Sequence, residues 1–170
     1  MSAGPCRIAQ FSDLHLSSVD GGLSKGVDCR AQLRKMLVHL GRQSPVDGIV
    51  FTGDIAHDES RESYERLRDI LNEEQFRYWL VPGNHDDPGL MREVFSTHVH
   101  PDISAMSFCE VLEDVVLIGL DTHEPGSAGG RLSAPSLAWF NQQCTSHADR
   151  SILVFMHHPP LDTGDVFFDS

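Results

Sequence analysis

Four short polar clusters hold the residues of this chain best suited to chemistry: Ser12-Asp13-Leu14-His15, Gly53-Asp54, Gly83-Asn84-His85-Asp86 and His157-His158-Pro159-Pro160. Each offers carboxylate oxygen, amide oxygen or imidazole nitrogen, and none contains a thiol. Such donors suit divalent or trivalent manganese, iron or zinc rather than a thiolate-bound structural zinc. Asp54, central in the set, carries two oxygens and can bridge two ions. Two ions roughly 3.5–4 Å apart would each take a phosphate oxygen and activate a water for in-line attack on phosphorus. A histidine outside the ligand set could then protonate the leaving alkoxide. Taken singly, each cluster is also an ordinary turn, since Gly-Asp pairs and strand-end aspartates commonly close turns. Their joint placement is what points to a site.

Each cluster follows a brief β-branched or aromatic run. Residues 6–11, 47–52, 77–82, 114–120 and 151–156 read as buried strands, with a further strand near 105–111. Helical spacing lies between them. Residues 28–42 carry Leu33, Met36, Leu37 and Leu40, and residues 60–73 carry Tyr64, Leu67, Ile70 and Leu71 behind Ser60 as N-cap. A short helix is expected at 88–96 and another at 133–144, opened by Ser133 with Pro135 in its first turn. Strands alternating with helices, with one non-helical insertion, indicate a layered α/β fold and one domain over residues 1–170. In an open α/β sheet, ligands sit beyond the carboxyl ends of the strands, so all four clusters are expected along one edge.

The bulk properties narrow the function. The 170 residues are 40% hydrophobic and 22% charged, ordinary for a globular chain near single-domain size. Acids outnumber bases 25 to 13, a net charge of -12, which disfavours a nucleic-acid polymer or an anionic membrane as partner. A phosphate substrate stays open, because bound ions can reverse the local field. No stretch approaches the roughly 20 apolar residues of a membrane span, and the N-terminus lacks the basic-then-apolar pattern of a signal peptide. Cys6, Cys29, Cys109 and Cys144 show no CxxC spacing, so reduced thiols in a cytoplasmic protein are expected. Ten histidines, several beside Asp, Asn or Gly, point again to metal chemistry.

The blocks FSDLHLS, FTGDIAHD, VPGNHDD and FMHHPPL, in this order, resemble the calcineurin-like metallophosphoesterases. The Asp-Leu-His opening and the His-His-Pro-Pro block are most similar to the class III cyclic-nucleotide and glycerophosphodiester phosphodiesterases, and LIGLDTHEPGSAGGRLS (117–133) also looks like a loop of that family. The resemblance implies an αββα sandwich and a binuclear metal centre. Carried over, Asp13 and His15 would hold one ion, Asp54 would bridge, and Asn84 and His157 would hold the other. His85 would contact the phosphate and assist the leaving group. His157 is preferred to His158 because the family ligand is the histidine of a His-x-Pro pattern, which leaves His158 as a neighbour.

Two positions depart from the family pattern. No Gly-His-x-His block follows His157, so the resemblance implies a domain lacking its C-terminal strands, as a piece of a longer protein or as a shortened relative. The pair His98-x-His100 has the spacing but not the Gly, and reads as a loop or helix-end pair. Many relatives place Asp or Asn three residues after the bridging Asp; here that position is His57, followed by Asp58. Asp58 and Asp86 are therefore the candidates to orient His85, with Asp86 and Asp87 also able to cap the helix beginning near Pro88. His123 is a candidate substrate contact, Asp121 and Thr122 are expected to close a strand end, and Arg131 to lie on the surface. Leu137, Trp139 and Phe140 are expected in the core. The expected activity is hydrolysis of small phosphodiesters, with phosphomonoester hydrolysis or a non-catalytic metal-binding fragment as alternatives. An exposed sheet edge would favour self-association.

Overall fold

The computed structural model describes residues 5–42, 45–96, 105–161 and 163–164; His98 and His100 lie outside them. In chain order the elements are β1 (Ile8–Phe11), α1 (Cys29–Arg42), β2 (Gly48–Thr52), α2 (Arg61–Glu74), β3 (Tyr78–Val81), α3 (Pro88–Val94), β4 (Phe108–Leu112), β5 (Val115–Gly119), α4 (Ala134–Ser146) and β6 (Ser151–Phe155). Every expected element is present, with ends shifted by at most three residues, the largest shift being the start of β4.

The strands form two sheets rather than one. The first is wholly parallel in the order β1-β2-β3, and the second runs β4-β5-β6 with β4 antiparallel and β6 parallel to β5. The hairpin β4–β5 is the non-helical insertion seen in the sequence. Strands β2 and β3 are buried along their whole length, as continuous apolar runs in a parallel sheet should be. In β6 the apolar Leu153 and Val154 are exposed, as befits an outer strand.

Side-chain packing builds four layers. Leu33 and Leu37 of α1 and Tyr64, Leu67, Ile70 and Leu71 of α2 pack with Ile49, Phe51, Tyr78 and Leu80 on the outer face of the first sheet. Val50, Trp79 and Val81 meet Phe108, Leu112 and Leu117 between the sheets. Trp139 of α4 covers Val116 and Ile118 on the outer face of the second, with Phe140 partly buried beside it. The result is an αββα sandwich. Leu137 does not join it: it is exposed, because α4 turns only the narrow stripe around Trp139 inward.

Helix starts are set by side-chain caps. The Ser60 hydroxyl accepts from the Ser63 amide, the Asp87 carboxylate from the Gly89 and Leu90 amides, and the Ser133 hydroxyl from the Ser136 amide. Of the two aspartates before α3, Asp87 is thus the cap, which frees Asp86 for another task. Among the described residues no helix is long and apolar enough to cross a membrane.

Candidate metal centre

Three of the four polar clusters leave the first sheet and the fourth leaves the second, so the site spans the sandwich instead of following one sheet edge. The loop after β2, the central strand of the first sheet, touches the other three. Thr52 offers its carbonyl to His157 Nδ1 at 2.8 Å. Gly53 and Asp54 offer theirs to the amides of Asp13 (3.1 Å) and His15 (2.9 Å), and Ile55 to that of Leu16. The Asp54 side chain accepts from the His85 amide at 3.0 Å.

This zipping forces unusual backbone. Asp13, His15 and Asp54 all have positive φ, at 56°, 43° and 52°, a region that opposes a Cβ and clusters at functional sites. Two glycines let the loops close. A Cβ on Gly53 would lie 2.6 Å from the Gly83 nitrogen, and one on Gly83 would lie 2.2 Å from Asp54 Oδ1 and 2.9 Å from His157 Cε1.

Two donor sets result, sharing Asp54. Candidate ligand atoms of Asp13, His15 and Asp54 all lie within 4.8 Å of one another. His15 Nε2 is 3.9 Å from Asp13 Oδ1 and 3.8 Å from Asp54 Oδ2. On the other side, His157 Nε2 is 3.5 Å from Asp54 Oδ1 and 3.2 Å from Asn84 Oδ1. The two carboxylate oxygens of Asp54, itself buried, therefore face opposite sets.

The second set shows why a cation fits. His157 Nδ1 faces a carbonyl, so it must carry the proton that it donates to Thr52. In the neutral ring Nε2 then presents a lone pair toward two oxygens, Asp54 Oδ1 and Asn84 Oδ1. Three electron-rich atoms converge without a proton to share, which is the arrangement a metal ion relieves. In the first set, burial lowers the His15 imidazole below its ordinary value, although the Asp54 and Asp13 carboxylates pull it upward. That favours the neutral, ligating ring.

The remaining candidates surround these sets. His85 is exposed, with its ring 5.4 Å from that of His15, edge to face. The exposed His57 stands 6.1 Å from His15 on another side. His158 is buried against His157, its Nδ1 sharing a 2.7 Å hydrogen bond with Thr122 Oγ1. His123 has its amide bound by Asp121, whose carboxylate also takes the Met106 amide, so Asp121 and Thr122 do close that strand end. Arg131 is a surface residue paired with Glu124.

Both candidate orienting carboxylates are committed elsewhere than His85. Asp58 accepts from the Ser18 amide and hydroxyl and from the Ser60 and Ser63 hydroxyls. Burial alone would raise its carboxyl; these bonds override that and hold it far below the usual range. Asp86 is buried and accepts from the amides of Gly83 (2.9 Å), Ile55 (3.0 Å) and Ala56 (3.1 Å). Burial pushes its carboxyl up against the pull of those amides. Asp54 binding His85 and Asp86 binding Ile55 and Ala56 form a reciprocal clamp between the loops after β2 and β3. One participant was not anticipated: Tyr64, an apolar-stripe residue of α2, whose hydroxyl reaches Asp86 and Asp87. The only sequence signal was a tyrosine in an otherwise aliphatic stripe.

A family model described as calcineurin-like phosphoesterase matches residues 6–170. The chain is 30% identical over 161 residues to a probable glycerophosphodiester phosphodiesterase of Arcobacter nitrofigilis, covering 92% of this chain and 58% of that protein. It is 29% identical over 167 residues to a glycerophosphodiester phosphodiesterase of Enterobacter lignolyticus, covering 95% and 60%. It is also 30% identical over 169 residues to a 3',5'-cyclic adenosine monophosphate phosphodiesterase of Pseudomonas aeruginosa, covering 95% and 58%. The chain thus spans 58–60% of the length of these curated relatives.

Proposed function

The chain belongs to the calcineurin-like phosphoesterase family, and on that premise we propose that it supplies the core of a two-ion centre that hydrolyses small phosphodiesters. The observation that carries the proposal is the pair of donor sets meeting on opposite oxygens of Asp54. Asp13 and His15 would hold one ion, Asn84 and His157 the other, and Asp54 both. Oxygen and imidazole donors suit manganese, iron or zinc. When bound, such ions supply charge neutralisation at the phosphate and a water acidic enough to attack it at neutral pH.

The chain's own residues do the rest. Thr52 fixes the tautomer of His157, and the burial of His15 keeps its ring neutral. The exposed ring of His85, beside His15, would hydrogen-bond a phosphate oxygen and hand a proton to the departing alkoxide. His57 and His123 line other sides as candidate substrate contacts. A net charge of -12 provides no basic track for a polymer, which supports a small diester of the kinds named for the relatives, a glycerophosphodiester or a cyclic nucleotide. Unpaired cysteines at all four positions fit a reducing, cytoplasmic setting. The exposed Leu153 and Val154 on β6 support self-association.

The test is hydrolysis of bis(p-nitrophenyl) phosphate with added manganese, together with the number of ions bound per chain. The expected result is turnover with two ions bound, both lost in Asp54→Ala. Turnover that survives Asp54→Ala would sink the proposal, and so would a folded chain that takes up no ion.

A further inference from the structure

We infer that the hydroxyl of Tyr64 is a positioning group for the turn Gly83–Asp87, and through it for the Asn84 oxygen; the second part rests on the two-ion reading above. Tyr64 lies in the first turn of α2, wholly buried, with its ring in the core between helix and first sheet. Its hydroxyl accepts the Asp87 amide at 2.7 Å and donates to Asp86 Oδ1 at 3.3 Å. The same Asp86 carboxylate takes the Gly83 amide at 2.9 Å, closing the turn on its other side. The turn is therefore gripped at both ends by groups that meet on one phenol. Asn84 and His85 sit between the grips, and Asn84 Oδ1 faces His157 Nε2.

Packing alone does not call for tyrosine here, because phenylalanine would fill the same core volume. The hydroxyl is a buried polar group with both of its hydrogen bonds directed at one turn. Removing it leaves the Asp87 amide without a partner and one Asp86 oxygen short of a donor, so the local penalty falls on the turn. The neighbouring Ser63 ties the same helical turn to Asp58, and Asp58 to Ser18 in the loop after β1. The start of α2 is thus a common anchor, and Tyr64 is its connection to the second donor set.

Tyr64→Phe tests this by two readouts on the full chain. Amide hydrogen exchange of His85 and Asp87 is expected to speed about tenfold, while amides of β2 and β3 stay within about twofold. Titration with manganese, followed by electron paramagnetic resonance, is expected to show the second ion bound about tenfold more weakly and the first nearly unchanged. Unchanged exchange at His85 and Asp87 overturns the inference, as does equal weakening of both ions. If Tyr64→Phe fails to fold, the wild-type chain still decides: an Asp87 amide that exchanges at the unprotected rate overturns the grip directly. If the wild-type chain takes up no second ion and Tyr64→Phe still loosens the turn, the two-ion reading falls and the grip on the turn stands.

Discussion

The loop after β2 and the loop after β5 leave their strands at the same end of the sandwich but are held in opposite ways. Residues 52–56 spend their hydrogen bonds on other loops: on Asp13, His15 and Leu16, on His85 and Asp86, and on His157. The segment 121–131 bonds largely to itself, through Asp121 to the His123 amide, Arg131 to the Thr122 carbonyl, and Glu124 to the Ser127 amide and the Arg131 side chain. Its outward ties go to Met106 and Ser107 and to His158, which is adjacent to a candidate ligand rather than one. A loop woven into three others can set distances among their side chains. A loop closed on itself can change shape without disturbing them. On the proposed two-ion reading, the first would set ion geometry and the second would serve substrate fit.

The largest effect is expected from cutting the clamp. Asp86→Ala would strand three buried amides and a hydroxyl, and should cost about 3 kcal/mol or more. That corresponds to roughly 6–12 °C in the melting temperature. Asp86→Asn keeps one acceptor oxygen and should recover about half of the loss. A melt of Asp86→Ala within about 1 kcal/mol of wild type would mean that the loops after β2 and β3 hold together without this carboxylate.

A matched pair of glycine substitutions sharpens the same contrast. An added Cβ at Gly83 collides with Asp54 and His157, so Gly83→Ala should cost about 1–3 kcal/mol and sharply weaken manganese uptake. Gly126, in the loop after β5, has nothing within 4 Å of such a Cβ and a φ of 76°. Gly126→Ala should therefore cost about 1 kcal/mol through backbone strain alone and leave ion uptake as it was. Equal loss of ion uptake in the two variants would erase the distinction.

A smaller effect is expected at Asp58, whose carboxyl ties the loop after β1 to the start of α2. Because its folded value is depressed, its stabilisation is complete above the ordinary carboxylate value of about 4 and is lost as the pH falls through the folded value. Asp58→Asn should thus be less stable than wild type at neutral pH, and its stability should fall less steeply below about pH 4. The carboxylate is exposed, so the difference should stay within about 1 kcal/mol. Urea melts at pH 7 and pH 3 measure it, and parallel pH profiles would show that the serine hydroxyls contribute nothing.

The sequence reading went furthest where one residue type decides the outcome locally. Val50, Phe51 and Leu80 lie in short β-branched or aromatic runs that read as buried strands, and Ser60 and Ser133 cap helices by geometry confined to three residues. That Asp13, His15, Asp54, Asn84 and His157 would come together was legible because donor types recur after β1, β2, β3 and β6, whereas the choice of these five as candidate ligands, His157 over His158 included, came from the family resemblance. What the sequence withheld depends on which loops become neighbours. That Asp86 would bind Ile55 and Ala56, some thirty residues away, follows from the parallel pairing of β2 with β3, which periodicity does not specify. Likewise Tyr64 satisfies the apolar stripe of α2 as well as any hydrophobe would, and only the packed helix reveals where its hydroxyl ends. The division of the strands into two sheets was carried by the family resemblance, which implies an αββα sandwich, and not by periodicity, which does not say which strands pair.

His123 puts the contrast to its finest test. Its amide is bound within its own loop by Asp121, and the loop reaches the centre through the hydrogen bond between Thr122 and His158. If the loop after β5 serves substrate fit, His123→Ala should leave manganese stoichiometry and affinity within about twofold of wild type. Its effect should fall on KM for a small diester, by less than about tenfold, with kcat nearly preserved, the pattern of a contact equally strong in ground and transition states. A loss of kcat with KM unchanged would move His123 toward the proton-transfer role proposed for His85. Weakened ion binding would be the more damaging outcome, because it would show that the path from Thr122 through His158 to His157 transmits geometry into the donor set. The self-contained loop would then be part of the metal centre after all, and the woven loop after β2 would no longer be the sole organiser of its distances.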